Sequence, residues 1–196
     1  MAPSYILTHI YHLTSWCGML NKRLKLYSWV CNRSMFVPSK IFSTKGVGIH
    51  AEKLVSFEMA LRDAHVSPFN LVTVSSILPP DAEIVPREEG LAHLHPGEVV
   101  FCVMARECTD TADDLVAASV GLAVPLNVHH HGYLSEYHSH NESGEDAGVH
   151  AEKLADIMLK TLMDENTRMK TSHIVSSAKG KDGMWTTVVA LAVFVP

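Results

Sequence analysis

The sequence lacks any run of about 18 uncharged apolar residues, so it holds no segment suited to span a membrane as a helix. Cysteine is sparse, and the spacing of Cys17, Cys31, Cys102 and Cys108 matches no zinc-binding motif. Unpaired cysteines behave as small apolar side chains in a reducing compartment, so we expect a cytoplasmic protein. With 47% hydrophobic and 19% charged residues, the composition is otherwise that of an ordinary globular protein.

Acidic residues are absent from residues 1–34, which carry four basic residues: Lys22, Arg23, Lys25 and Arg33. Since the whole chain has a net charge of −5, this +4 leaves residues 35–196 at −9, which argues against nucleic acid as a partner. A basic, aromatic N-terminus suggests a targeting segment, but a secretory cleavage site is missing. We favour an N-terminal extension outside the fold, read from an upstream start codon, with residues 35–196 as a single domain.

Hydrophobic periodicity predicts three helices and at least six strands in no regular alternation. The predicted helices cover residues 51–64, 110–120 and 151–162. The predicted strands cover residues 36–43, 70–76, 98–105, 120–128, 132–139, 172–177 and 185–194. A turn is expected at residues 46–48, and loops at residues 81–90 and 141–148. This order favours an α+β layered sandwich over a doubly wound parallel sheet.

One heptapeptide occurs twice, as GIHAEKL at residues 48–54 and as GVHAEKL at residues 148–154. Both copies stand at the start of a segment with helical periodicity. We therefore expect each copy to begin a helix, as a common helix-entry sequence rather than as the trace of a duplication.

The pair Ser75-Ser76 lies where an apolar strand runs into Pro79-Pro80. The prolines fix their own φ angles and restrict the preceding residue, so the serines are held between two rigid segments. The other serine pair, Ser176-Ser177, leads into a polar turn and has no such frame. The first pair is therefore the candidate for self-cleavage, because a peptide bond held between rigid anchors can be kept off its preferred geometry.

The Ser76 hydroxyl can attack the carbonyl carbon of Ser75, an N→O acyl shift that converts the peptide bond into an ester. The oxyanion formed on Ser75 needs a hydrogen-bond donor, and the side-chain amide of Asn70 is our candidate. A simple turn residue is the other interpretation of Asn70. β-Elimination then leaves Ser75 as a new C-terminus, and hydration with loss of ammonia leaves a pyruvoyl group at position 76.

The segment NLVTVSSILPPDAEIVP at residues 70–86 resembles the cleavage segment of pyruvoyl-dependent arginine decarboxylases. FEMALRDA before it and GYLSEYHSH after it extend the resemblance from about residue 35 to Pro196. The resemblance implies a four-layer αββα sandwich, cleaved into a β chain that ends at Ser75 and an α chain of residues 76–196. It also implies trimers or pairs of trimers, with the active site between protomers.

The resemblance further implies a carboxy-lyase that converts L-arginine to agmatine and CO2 in polyamine biosynthesis. Its cofactor is the pyruvoyl group derived from Ser76, which forms a Schiff base with the substrate and acts as an electron sink. Glu136 matches the family's proton donor. Strand alternation places Glu136 on the same face as Leu134. An exposed strand glutamate is the other interpretation of Glu136.

Glu58 and Leu61 match substrate-binding positions of the family. A carboxylate is the expected bidentate partner of a guanidinium group. Some family members have aspartate at the position of Glu58, so the same chemistry on another amino acid stays open. A solvated helix residue is the other interpretation of Glu58, and Leu61 is either a pocket wall or a core residue.

Five histidines fall within twelve residues: His129, His130, His131, His138 and His140. In strands, alternate histidines share a face, so a metal site is geometrically possible. No carboxylate or cysteine completes a known spacing, and we interpret them as solvated or interface histidines without a metal. The alternative to an enzyme is an unprocessed oligomeric protein that binds a ligand.

Overall fold

The computed structural model describes residues 37–126, 129–164 and 167–196, so the predicted extension over residues 1–34 lies outside the described residues. The described strands are β1 (Lys40–His50), β2 (Asn70–Thr73), β3 (Ile77–Leu78), β4 (Glu83–Ile84), β5 (Val99–Thr109), β6 (Leu115–Pro125), β7 (Gly132–His140), β8 (Met169–Lys179) and β9 (Trp185–Val195). The described helices are α1 (Lys53–Asp63), α2 (Arg87–Leu91) and α3 (Gly144–Leu162). None of these helices is both long and apolar enough to cross a membrane.

The strands form two sheets, ordered β2-β5-β9-β1-β4 and β3-β7-β6-β8. Long antiparallel pairs form the centre of each sheet, with β9 between β5 and β1, and with β6 between β7 and β8. The short strands β2 and β4 join the first sheet in parallel. Mostly antiparallel sheets with few helices agree with the α+β class predicted from the sequence.

Strand β9 is apolar on both faces because each face contributes to a different core. Val188, Ala190, Ala192 and Phe194 pack with side chains of β5, β6 and β7. Val189, Leu191, Val193 and Val195 pack with Ala60 and Ala64 at α1. Since successive strand residues point to opposite faces, one side of the first sheet packs against the second sheet and the other packs against α1.

Gly46 and Gly48 lie within β1, so the turn predicted at residues 46–48 is wrong. A Cβ at Gly46 would collide with the carbonyl oxygen of Ala60, and a Cβ at Gly48 would collide with that of Ser56. Both carbonyls belong to α1. These glycines therefore allow the helix to lie directly on the strand.

The helix predicted over residues 110–120 is also wrong, because residues 115–125 form β6 in the interior of the second sheet. Every residue from Val116 to Ala123 is buried. An apolar run that is buried on both faces carries no period of two, so periodicity cannot distinguish it from a helix. The extended segment predicted over residues 120–128 is confirmed as far as Pro125, and residues 127 and 128 lie outside the described residues.

Helix α3 begins at Gly144, inside the segment predicted as a loop. The hydroxyl of Ser143 accepts the backbone N–H of Asp146 at 3.1 Å, and Glu145 and Asp146 place negative charge in the first turn. This N-cap and these charges stabilise an earlier start. The second copy of the repeated heptapeptide consequently lies inside α3, whereas the first copy ends β1 and enters α1. The prediction that both copies begin a helix is therefore wrong for the second.

Candidate active site

The Ser75–Ser76 peptide bond lies where the chain passes from the first sheet to the second. Before the bond, the backbone N–H of Val74 donates to the carbonyl of Cys102 at 2.9 Å, which extends the pairing of β2 with β5. After the bond, the carbonyl of Ser76 accepts the N–H of Leu134 at 2.8 Å, which extends the pairing of β3 with β7. The two ends of this bond are thus held by different sheets.

The carbonyl oxygen of Ser75, at the bond itself, accepts a hydrogen bond from the backbone N–H of Ile77 at 3.0 Å. A contact between residues i and i+2 closes a γ-turn, here centred on Ser76. Ser75 is exposed and Ser76 is partly buried. The turn therefore presents the serine pair at the edge of the second sheet.

Asn70 occupies the start of β2 and makes its contacts there. Its backbone N–H donates to the carbonyl of Glu98 at 2.8 Å, and its side-chain Nδ2 donates to the carbonyl of Gly97 at 2.8 Å. Among the described residues, the Asn70 amide has no hydrogen bond to Ser75. This side chain thus holds the start of the strand that leads to the serine pair, and its role as oxyanion donor stays a prediction.

A cavity of about 690 Å³ brings together three residues that the sequence had assigned to processing, substrate binding or catalysis: Leu61, Asn70 and Glu136. Its other lining residues come from α1, β5, β7 and the chain around β2: Phe57, Phe69, Leu71, Thr73, Met104, Ala105, Arg106 and His138. The volume lies within the range of about 300–1,000 Å³ that is usual for small-molecule sites. Thr73, the last residue of β2, lies on the cavity wall two residues before Ser75.

Glu136 projects from β7 toward the first sheet, where its Oε1 accepts the backbone N–H of Met104 at 3.2 Å. That N–H is available because β2 ends at Thr73 and leaves this edge of β5 without a strand partner beyond Cys102. Leu134 is fully buried, whereas Glu136, on the same face, is exposed to the cavity. The predicted shared face is confirmed, and it runs from the core into the cavity.

Cys102 lies beneath this part of the site and is fully buried. Burial raises the pKa of its thiol to about 12, and the negative charge of Glu136 adds to the rise. At neutral pH the thiol is therefore protonated.

Arg106 is a cavity residue that the sequence reasoning missed, and His138 was considered there only as a metal ligand. The Arg106 guanidinium carbon lies 4.5 Å from the centre of the Phe57 ring, a cation–π contact. Arg106 follows Met104 by two residues on β5, and His138 follows Glu136 by two on β7. Period-two alternation from Glu136 was the signal that would have found His138.

Glu58 and Leu61, the two predicted substrate residues, have different positions. Leu61 lines the cavity. Glu58 is absent from its wall and accepts the Nε–H of Arg62 at 3.0 Å on the exposed side of α1. Its neighbour Phe57 does line the cavity, so Glu58 lies one residue from the wall.

Two of the five clustered histidines pair with acidic residues in different places. His129 lies 3.1 Å from Asp81, and His140 lies 2.8 Å from Asp114. Within the part of the chain that the structure describes, no group of three or more His, Cys, Asp or Glu side chains is arranged to hold a metal ion.

Comparison of the sequence with known proteins finds a matching family and several similar proteins. The family model for pyruvoyl-dependent arginine decarboxylase matches residues 40–196. "Pyruvoyl-dependent arginine decarboxylase 1" of Methanosarcina mazei is 54% identical over 160 residues, which cover 81% of this chain and 96% of that protein. "Pyruvoyl-dependent arginine decarboxylase" of Methanocella arvoryzae is 53% identical over 165 residues, covering 83% and 99%. "Probable pyruvoyl-dependent arginine decarboxylase" of Chloroherpeton thalassium is 48% identical over 180 residues, covering 82% and 99%. With its sequence motif, its cavity and these matches, the chain belongs to the pyruvoyl-dependent arginine decarboxylase family.

Proposed function

We propose that this protein cleaves its own chain between Ser75 and Ser76 and then converts L-arginine to agmatine and CO2, as a carboxy-lyase of polyamine biosynthesis. The observation that carries the proposal is how the Ser75–Ser76 bond is held. Before the bond, Val74 is hydrogen-bonded to the first sheet, and after it, Ser76 is hydrogen-bonded to Leu134 of the second sheet. Fixing both ends limits the motion of the peptide bond that the Ser76 hydroxyl attacks, and restricted motion of reacting groups lowers the barrier to attack.

Cleavage begins when the Ser76 Oγ forms a bond to the Ser75 carbonyl carbon. The bond between that carbon and the Ser76 nitrogen breaks, and the hydroxyl proton passes to the nitrogen. Loss of the Ser76 Cα proton and of the Cβ–O bond then releases Ser75 as a carboxylate. A water molecule finally replaces the nitrogen, which leaves as ammonia, so the α chain begins with a pyruvoyl group at position 76.

The surrounding residues fit this group. Ser76 provides its carbon atoms, and the N–H of Leu134 holds the adjoining carbonyl on β7 after cleavage. When formed, the pyruvoyl ketone supplies the electron sink that decarboxylation of an amino acid requires. Glu136 is the proposed proton donor to the substrate Cα, because its carboxyl group lies on the cavity wall and is oriented by Met104.

Glu58 and Leu61 are proposed to bind the substrate. Leu61 contributes apolar wall for the aliphatic chain of arginine. Glu58 already binds a guanidinium group, that of Arg62. A substrate guanidinium can replace it with the same charge-assisted geometry, provided that the Glu58 side chain turns away from Arg62.

We further propose that the layers form an αββα sandwich and that the protein assembles as a trimer or as a pair of trimers. The packing of α1 on the first sheet, of α3 on the second and of the sheets on each other supports the layering. Exposed apolar side chains support assembly, among them Leu54 on α1 at 77% and Val99 beside β2 at 58%. Native mass spectrometry, read as three or six times the protomer mass, tests the assembly.

We propose residues 35–196 as the catalytic domain and residues 1–34 as an extension outside it, which is supported by the start of the family match at residue 40. Cys102 and Cys108 are free thiols, which supports work in the reducing cytoplasm. Deleting residues 1–34 should leave cleavage and decarboxylation unchanged.

Intact mass of the freshly purified protein and agmatine formation from arginine test the proposed function together. Two chains that meet at Ser75–Ser76, with an α chain whose mass carries pyruvoyl in place of serine, are expected. A single intact chain of 21.6 kDa in active protein would contradict the self-cleavage proposal. Processed protein that yields no agmatine from arginine would overturn the substrate and leave the same chemistry on another amino acid.

A further inference from the structure

We propose that Arg106 binds the α-carboxylate of the substrate and thereby selects the substrate over the product. This proposal rests on the proposed function, since arginine brings a carboxylate into the cavity and agmatine leaves without one. The residues assigned above account for the guanidinium group, the aliphatic chain and the proton at Cα. The carboxylate still needs a binding group.

Arg106 is the only described residue on the cavity wall that carries a permanent positive charge. Its guanidinium carbon lies 4.5 Å from the centre of the Phe57 ring. In the part of the chain that the structure describes, Arg106 forms no ion pair with a carboxylate. An aromatic ring does not neutralise the charge of a guanidinium group, so Arg106 keeps the capacity to bind an anion.

Arg106 lies near the proposed proton donor. Glu136 accepts the backbone N–H of Met104, and Arg106 follows Met104 by two residues on β5. Two residues of a strand span about 7 Å, a distance that an arginine side chain can cover. The α-carboxylate is bonded directly to the Cα that Glu136 is proposed to protonate. Its binding group must therefore lie beside Glu136 on the same cavity, as Arg106 does.

The end of β2 explains why the Arg106 side chain is accessible. β2 pairs with β5 only as far as Cys102, so within the described residues this edge of β5 has no strand partner beyond that point. Arg106 is exposed there, whereas its neighbour Ala105 is buried. The contact with the Phe57 ring involves no carboxylate, so a substrate carboxylate can bind Arg106 without displacing an acidic residue.

The chemistry of the two ligands makes this contact selective. A guanidinium group binds a carboxylate through two parallel N–H···O hydrogen bonds, and it repels another cation. Arginine therefore binds with its carboxylate, and not its guanidinium group, at Arg106. The contact is present in the bound substrate and is lost as the carboxylate leaves as CO2, so it strengthens binding without accelerating the reaction. Agmatine carries two cationic groups and no carboxylate, so Arg106 favours its release.

The test is the Arg106→Met variant of the full chain, which removes the charge and keeps a long side chain against the Phe57 ring. We expect the KM for arginine to rise roughly 10–100-fold, the usual effect of losing a charge-assisted contact, with kcat unchanged or higher. The competitive inhibition constant of agmatine should stay the same or fall. A KM within about threefold of the unmodified value, or an inhibition constant that rises as much as the KM, would overturn the proposal.

The matched control is Lys53→Met. The Lys53 Nζ lies 4.4 Å from the centre of the Trp185 ring, so this variant also loses one positive charge and one cation–π contact. Lys53 lines a smaller neighbouring cavity and is absent from the wall of the large one. We expect its KM for arginine to stay within about threefold of the unmodified value. An equal rise in the Lys53 and Arg106 variants would show an effect of net charge alone and overturn the proposal.

A second variant, Arg106→Lys, keeps the charge and loses the planar pair of donors. We expect a smaller rise in the KM for arginine than in Arg106→Met, and a larger rise would overturn the proposal. Intact mass checks that each variant is cleaved, and calorimetric titration with agmatine measures product binding without turnover.

The proposed function fails separately from this inference. If the unmodified, cleaved protein forms no agmatine from arginine, the proposed function is overturned, and this inference with it. If agmatine forms and Arg106→Met keeps its KM, only the role of Arg106 is overturned.

Discussion

Leu134 donates its backbone N–H to the carbonyl oxygen of Ser76 at 2.8 Å. This hydrogen bond fastens the first residue of the proposed α chain to β7, the strand that carries Glu136. After the proposed cleavage, the new chain end would therefore stay beside Glu136, the proposed proton donor. The proposed β chain would also stay in place, since its strand β1 is paired on both sides, with β9 and with β4.

Replacing the nucleophile should leave the chain whole. The Ser76→Ala variant lacks the hydroxyl that attacks the Ser75 carbonyl, so we expect one uncleaved chain and no agmatine formation. The matched control is Ser177→Ala, an exposed serine of the second serine pair, which should be cleaved and active. Intact mass decides the outcome, and cleavage of Ser76→Ala at residue 75 would contradict the assigned nucleophile.

Glu136→Gln should separate cleavage from catalysis. Glutamine keeps an oxygen that can accept the N–H of Met104, so the side chain should stay in place while its acidic proton is lost. We expect normal cleavage and a kcat about 10²–10⁴-fold lower, the usual contribution of a general acid. Glu142→Gln, a carboxylate bonded to Tyr137, is the control and should keep its kcat. An unchanged kcat in Glu136→Gln would remove its assigned role.

The proposed substrate role of Glu58 can be tested by comparing variants of Glu58 with a variant of its ion-pair partner Arg62. Glu58→Gln removes the charge that would bind the substrate guanidinium, and we expect the KM for arginine to rise roughly 10–100-fold, equivalent to about 1.5–3 kcal/mol for a charge-assisted hydrogen bond. Arg62→Met leaves the Glu58 carboxylate without its partner and should lower the KM or leave it unchanged. Equal KM values for Glu58→Gln and the unmodified enzyme would show that another residue binds the guanidinium.

Asn70→Ala should slow cleavage through the backbone. The variant loses the hydrogen bond from Nδ2 to the Gly97 carbonyl, which costs about 0.5–1.5 kcal/mol of unfolding free energy and loosens the start of β2. We expect cleavage to slow in proportion to the loss of unfolding free energy. Intact mass measures the cleavage rate, and a urea titration measures the stability. A rate loss of roughly 10²–10³-fold in a variant of unchanged stability would instead support Asn70 as the direct oxyanion donor.

The pair His140–Asp114 should make stability depend on pH. The hydrogen bond that His140 donates to Asp114 raises the pKa of His140 above its usual 6.5, so its contribution is complete below pH 6.5 and is lost as pH rises through the raised pKa. Hydrogen bonds from Thr109 and then His140 lower the pKa of Asp114 below 3.8, so its contribution is present above pH 3.8 and is lost as pH falls through the lowered pKa.

The two ranges overlap between pH 3.8 and 6.5, where both partners are charged. We therefore expect His140→Gln to lower the urea midpoint most at about pH 5 and least in the alkaline range. His129→Gln, at a histidine whose side chain is 91% exposed, is the control and should show a smaller effect. A loss in His140→Gln that is the same at every pH would contradict an ionic contribution.

The cleavage pair could be found from the sequence because its frame is local. Ser75-Ser76 and Pro79-Pro80 lie within six residues, and proline restricts the backbone whatever surrounds it. The strands of the α+β fold were also recognisable wherever β-branched residues gathered, as in β9. Leu61, Asn70 and Glu136, singled out along the chain, do line one cavity.

Other features could not be predicted from the sequence because they depend on which strands and helices pack beside them. The pentapeptide HAEKL ends a strand and enters a helix at His50, yet it is entirely helical at His150. Strand β6 contains several alanines, which favour helices, but it forms a strand because β7 and β8 pair with it on both sides. Local sequence cannot encode neighbours that arrive from distant parts of the chain.

The sequence by itself therefore determined which bond is chemically suited to break, since the nucleophile, the carbonyl and the proline frame are all local. The tertiary structure decided which groups surround that bond. Ile77 donates to Ser75, while Asn70 is turned to Gly97, because the pairing of β3 with β7 and of β2 with β5 determines where each N–H points. A hydrogen bond needs a partner at the right distance and angle, and only the packed sheets supply that partner.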